Sequence, residues 1–171
     1  MIFARQAGTS LVLVMLTLSL HCAGMGAVIA WARNTLASDV YRLGPFRSAV
    51  LMVRFITAFI VLHILEILLW AGFYRWLCFP FWEAAFYFST SSYATVGYGD
   101  VVLPQTWRTL GPVESVIGVL MCGLSASFLF AIVTRLIERE ARPPSGIAKP
   151  STDLNSRLEH SNLSGRSSEE E

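Results

Sequence analysis

Apolar residues gather in three long runs and one short one. Residues 11–32 form 22 positions whose only ionisable side chain is His21, and residues 115–134 form 20 positions without a charge. Between them, residues 55–74 carry His63 and Glu66 inside the string LHILEILLWA. A helix needs about 20 predominantly apolar residues to cross the hydrocarbon core of a bilayer, so each long run predicts a spanning helix. Residues 81–94 differ: 14 positions are too few to cross and match a re-entrant segment. Pro80 sets the start of this shorter helix, and Glu83 in its first turn suits the positive end of the helix dipole.

The intervening segments are polar. Residues 33–48, broken by Gly44-Pro45, read as a loop or interfacial turn, and residues 101–111 read as a second loop. From Glu138 onward the chain turns polar, with Pro143-Pro144, many serines and a terminal run of glutamates. Such a tail cannot bury enough apolar surface to fold alone and is expected to be disordered. The pattern therefore divides the chain into a first helix with its loop (1–48), a two-helix module (49–139) and a tail (140–171). No internal repeat is apparent.

Composition agrees. Of 171 residues, 54% are hydrophobic and 15% charged, the balance of a membrane protein. A formal net charge of +1 gives nothing for a nucleic acid to recognise. Cys22, Cys78 and Cys122 sit in or beside apolar runs at no metal-ligand spacing and read as small apolar fillers. His21, His63 and His160 are far apart in sequence and in the expected topology, so no catalytic constellation, enzymatic activity or cofactor is expected.

The short run leads directly into Thr95-Val96-Gly97-Tyr98-Gly99-Asp100. Alternating glycines let successive carbonyls point the same way, because glycine adopts left-handed backbone angles without penalty. Alone, GYGD is an ordinary turn sequence. Set between two spanning segments and behind a short apolar helix, it resembles the filter of pore-loop potassium channels, and the likeness covers residues 55–139. The resemblance implies an all-α membrane protein: three transmembrane helices, with a re-entrant pore helix and a selectivity-filter loop between the second and third. It further implies a homotetramer in the lipid bilayer, each chain giving one quarter of a pore. Dehydrated K+ would bind at the carbonyls of Thr95, Val96, Gly97 and Tyr98, with Gly99 and Asp100 closing the outer mouth. Tyr98 would point into an aromatic cuff drawn from Tyr87, Phe88 and Tyr93, and Asp100 would be bonded behind the filter, with Trp107 the candidate partner. Ala94 departs from relatives that carry a second threonine before TVGYG.

Topology follows from the same resemblance and, separately, from charge. The family's loops dip in from outside, which puts the N-terminus outside and the C-terminus in the cytoplasm of a plasma-membrane protein, and disfavours reading the first run as a cleaved leader. Arg33, Arg42, Arg47, Arg54, Arg135, Arg139 and Arg142 outnumber Arg5, Arg75 and Arg108 on the other side, as expected for a cytoplasmic face. These arginines lack the every-third-position spacing of a voltage sensor and read as anchors.

Other candidate residues carry two readings each. His63 and Glu66 share a helical face, and an ionisable group near the bilayer centre costs roughly 2.5–3.5 kcal/mol on insertion scales. They are either a hydrogen-bonded pair, joined by Trp70 or a neighbouring helix, or a proton-sensitive gate. Gly123, with Gly118 second, is the candidate gating hinge in the third helix, against plain close packing. Gly24-Met25-Gly26 reads as ordinary helix packing. Ser125, Ser127 and Phe128 are candidates to face the cavity. Glu83, Asp100 and Glu114 either concentrate cations at the mouth or are solvated surface charge. Two alternatives to a potassium-selective channel stand: a weakly selective monovalent cation channel, and a non-conducting membrane subunit that binds a partner.

Overall fold

A computed structural model describes residues 2–38 and 45–141. Most of these residues are helical, with no strand among them: α1 (Ile2–Ser38), α2 (Pro45–Leu77), α3 (Trp82–Tyr93), a short 3-10 turn (Gln105–Trp107) and α4 (Leu110–Ala141). Three stretches are long and apolar enough to cross a membrane, Ala4–Asn34, Phe46–Leu77 and Gln105–Arg135. The predicted all-helical class, with three spanning helices, is borne out.

Each long helix outruns its apolar stretch. α1 covers Arg33 to Ser38 and α2 begins at Pro45, so helix replaces most of the loop expected over residues 33–48, and residues 39–44, with Arg42, lie outside the described residues. At 37 residues α1 is about 55 Å long, well beyond a hydrocarbon core of about 30 Å. Proline decides the other boundary. α2 ends at Leu77 with both Cys78 N–H (2.8 Å) and Phe79 N–H (2.9 Å) donating to the Tyr74 carbonyl, immediately before Pro80. α4 starts at Leu110, five residues before its expected start, because Pro112 in a first turn needs no hydrogen-bond donor.

Three buried clusters run along the bundle. At one end Val28 and Ala32 of α1, Phe55, Phe59 and Leu62 of α2, and Ile132 of α4 pack together. In the middle Ile67, Tyr93, Ile117 and Met121 join α2, α3 and α4. At the other end Leu13, Trp70, Tyr74, Ala85, Trp107 and Leu110 enclose the start of α3. Polar contacts fasten α1 at this same end. Gln6 Nε2 donates to the Thr106 carbonyl (2.6 Å), Thr109 Oγ1 donates to Gln6 Oε1 (2.7 Å), and the Arg5 guanidinium lies 4.8 Å above the Trp107 ring. Arg5 and Arg108 thus share one end, while Arg33 and Arg135 line one groove at the opposite end.

Glycine positions separate packing from freedom. A Cβ on Gly118 would stand 2.3 Å from the Tyr93 carbonyl oxygen, so glycine there lets α4 pass directly under the end of α3. A Cβ on Gly123 would meet nothing within 4 Å, and one on Gly24 would press on the Leu62 side chain. Gly118→Ala is expected to cost about 1–3 kcal/mol through overpacking, whereas Gly123→Ala removes the helix penalty of glycine and gains up to about 1 kcal/mol. Thermal unfolding of the two variants in detergent checks this. Equal shifts would contradict the packing role of Gly118.

Candidate functional site

The TVGYGD segment hangs from the end of α3 by its own amides. Ala94 N–H donates to the Thr90 carbonyl (3.0 Å), Thr95 N–H to Ser92 (2.9 Å), and Val96 (2.9 Å) and Gly97 (3.2 Å) N–H both to Ser91. The last carbonyls of α3 are thereby satisfied, and the chain leaves the helix as a ribbon. Thr95 (φ +58°), Gly97 (φ +58°) and Gly99 (φ +81°) are left-handed, at every second residue. The two glycines occupy that region freely. For Thr95, a β-branched residue, it is strained, at a cost of roughly 1–2 kcal/mol. Thr95 is one of the expected ion-binding residues, but nothing in the sequence signals its positive φ, because only glycine announces one.

Tyr87 braces the outer part of this ribbon. Its hydroxyl donates to Asp100 Oδ2 (2.8 Å), and its ring stacks on Tyr98 with centroids 6.5 Å apart and planes 14° apart. That hydrogen bond holds the Tyr87 hydroxyl above the usual phenol range. The raised value means the bond is retained below about pH 10 and lost as pH rises past the shifted value. Trp107, the expected partner of Asp100, is instead buried edge-on against Phe73. The expected cuff also resolves differently within one chain: Phe88 packs on Tyr74 and Tyr93 turns toward α2, leaving Tyr87 against Tyr98. Val96 (50%) and Tyr98 (73%) remain exposed, beside a cleft of about 360 Å³ lined by Thr95, Gly97, Val102 and Arg108.

Behind the ribbon, two buried carboxylates tie the helices together. Glu114, expected at the mouth as a cation attractor or a solvated charge, is fully buried and accepts from the Tyr74 (2.8 Å) and Ser89 (2.5 Å) hydroxyls. Ser89 also lies 3.0 Å from the Ile67 carbonyl, so its hydroxyl serves α2 and α4, not the ribbon. Glu66, equally buried, holds the second junction. His21 Nδ1 of α1 lies 2.7 Å from Glu66 Oε1, the Tyr93 hydroxyl donates to Oε2, and His63 Nδ1 is 3.4 Å from Oε2 and 2.9 Å from the Tyr93 oxygen.

The expected His63–Glu66 pairing is present but is the weakest of these contacts. Trp70, considered for that pair, donates to Thr17 Oγ1 (2.9 Å) instead. The expectation that His21 and His63 stand apart is overturned, since their rings lie 5.8 Å apart. His21 was detectable in principle, being the only ionisable residue of a spanning run and therefore in need of a polar partner. His160, Arg142 and the rest of residues 142–171 lie outside the described residues.

A family profile described as "Ion channel" matches residues 50–135, half of the chain, covering most of α2, all of α3, the ribbon and most of α4. The chain belongs to this ion-channel family. The channel has three helices fit to cross a bilayer and is a multi-pass membrane protein. No match was found among curated proteins or among solved structures. In the channel the matched region holds the ribbon, Glu66, Tyr93 and Glu114, whereas His21 reaches in from α1, outside it.

Proposed function

We propose that this channel is selective for potassium and conducts passively as a homotetramer. The observation that carries the reading is the left-handed backbone at Thr95, Gly97 and Gly99 within TVGYG. Left-handed residues alternating with ordinary ones turn successive carbonyls to one side, and four such ribbons around an axis would offer rings of oxygens in place of the ion's water. K+ would then queue at Thr95, Val96, Gly97 and Tyr98 and be pushed along by the ion behind it. α3, too short to cross, would be a re-entrant pore helix whose negative end favours a cation at the foot of the ribbon. Exposed Val96 and Tyr98, and the cleft beside them, fit burial against neighbouring subunits. Gly123, with open space around it, is the hinge this reading favours.

The same reading sets the pore module at residues 49–139 of a plasma-membrane protein, with the Arg5 end outside and the Arg33 and Arg135 end in the cytoplasm. Cys78 reports on orientation. It follows α2 at the Arg5 end, and burial pushes its thiol up to about 11. In a Cys22→Ser, Cys122→Ser background, a membrane-impermeant maleimide added outside is expected to label Cys78 slowly at neutral pH. The rate should rise about tenfold per pH unit as thiolate forms. Labelling only from the inner side would reverse the topology.

Purified chain in liposomes provides the test of conduction. Rubidium uptake down a potassium gradient by a tetrameric species supports the proposal. A folded protein that passes no rubidium favours the non-conducting subunit.

A further inference from the structure

We propose that His21, His63, Glu66 and Tyr93 form a binding site for one divalent transition-metal ion of the zinc class, set between α1, α2 and α3. The donor atoms converge from three helices. Those of His21, His63 and Glu66 all lie within 4.8 Å of one another. The His63 Nδ1 to Oε2 separation (3.4 Å) matches that around a tetrahedral ion, and His21 Nδ1 to Oε1 (2.7 Å) and His63 Nδ1 to Tyr93 Oη (2.9 Å) are shorter, at hydrogen-bond length. With zinc–ligand bonds of about 2.0–2.1 Å, neighbouring donors stand about 3.3–3.4 Å apart, so the His21–Glu66 pair and the shorter Tyr93–Glu66 contact must each open by more than about half an ångström to complete the cage.

Donor chemistry selects the class of ion. Two imidazoles, one carboxylate and one hydroxyl suit zinc, cobalt or nickel, whereas magnesium and calcium require oxygen throughout. Electrostatics favours occupancy as well. A carboxylate buried among apolar helices is costly in the absence of positive charge, and a divalent ion between Glu66 and two neutral imidazoles supplies it. The His21 side chain is 2% exposed and its Nε2 has no partner among the described residues, so no competing hydrogen bond draws the ring away from Glu66. His63, 18% exposed at its side chain, is the open side by which an ion arrives.

Occupancy clamps α1 onto the family's pore region and fixes Tyr93, two residues before Thr95. That the clamp then bears on conduction rests on the potassium-channel reading. The site itself does not.

Cobalt titration of the full chain tests it, with the protein purified on a tag free of histidine, stripped with a chelator and kept folded in detergent. Visible absorption of four-coordinate Co2+ is expected to saturate at one ion per chain and to vanish on adding Zn2+. His21→Gln and His63→Gln are each expected to weaken binding by at least about tenfold. His160→Gln should change nothing. Zinc should also raise the unfolding temperature of the parent and not that of His63→Gln, a substitution at the open edge of the site. The proposal is overturned if the folded chain gives no such absorption, or if the His21→Gln, His63→Gln double variant keeps it. Cobalt absorption does not depend on conduction. A chain that passes rubidium but binds no cobalt loses only the metal site, and one that binds cobalt but passes no rubidium loses only the channel proposal.

Discussion

Gly97→Ala is expected to abolish rubidium flux while leaving the spanning helices folded. A Cβ at Gly97 would meet nothing within 4 Å in its own chain, so the effect is conformational and not a clash within the subunit. At φ +58° an L-residue costs roughly 1–2 kcal/mol, which favours rotation of the adjoining peptide and turns a carbonyl away from the proposed ion path. In the proposed tetramer four copies in one ring sum to about 4–8 kcal/mol, and at 1.4 kcal/mol per decade this removes about three to six orders of magnitude of conducting population. Gly72→Ala is the control, since Gly72 is an ordinary residue of α2 with open space where a methyl would go. It should leave flux unchanged. Full flux through Gly97→Ala would mean that the ribbon is not the ion path.

Glu114→Ala is expected to be the most damaging change away from the ribbon. The Glu114 carboxylate accepts two hydroxyl hydrogen bonds, from Tyr74 of α2 and Ser89 of α3, and its backbone belongs to α4. Truncation orphans the buried Tyr74 hydroxyl, leaves Ser89 only the Ile67 carbonyl and removes the acceptor common to the three helices. Each hydrogen bond lost from this buried carboxyl group contributes roughly 0.5–1.5 kcal/mol and a buried hydroxyl left unsatisfied costs roughly 1–3 kcal/mol more, so the change should cost about 2–6 kcal/mol. Thermal unfolding in detergent should show a large fall, with loss of the assembled species on sizing. A double-mutant cycle sharpens the assignment. Glu114→Gln combined with Tyr74→Phe should cost less than the sum of the two single changes, because the second removes a donor already weakened by the first. Strict additivity would show that the two side chains do not act together.

The sequence made the helices and the ribbon legible for one reason: both are local. Uncharged runs of twenty residues have few alternatives to a spanning helix, and Gly97 and Gly99 declare their backbone angles by lacking a Cβ. What stayed hidden depends on how helices face one another. Glu114 was expected at a mouth because it lies between the loop expected over residues 101–111 and the uncharged run that begins at residue 115. Once Pro112 is accommodated in the first turn of α4, the carboxylate faces inward. His21 lies 45 positions from Glu66, and only the rotation of α1 about its own axis, which no local pattern specifies, brings them to 2.7 Å. Tyr93 looked like a cuff aromatic from its place beside the filter, yet the same helical face that buries Ala85 and Ser89 turns it toward α2. Thr95 adds a different lesson, since a strained left-handed residue is visible only in the backbone itself.

Reversal potential under bi-ionic conditions tests the central claim most directly, with purified chain in a planar bilayer, potassium on one side and sodium on the other. If carbonyl rings of the TVGYG ribbon replace potassium's water, the current reverses at a strongly displaced potential. It should then move with the potassium gradient when sodium is held constant. A current that reverses near zero, indifferent to which ion is on which side, would contradict the account and leave a channel that does not choose between them.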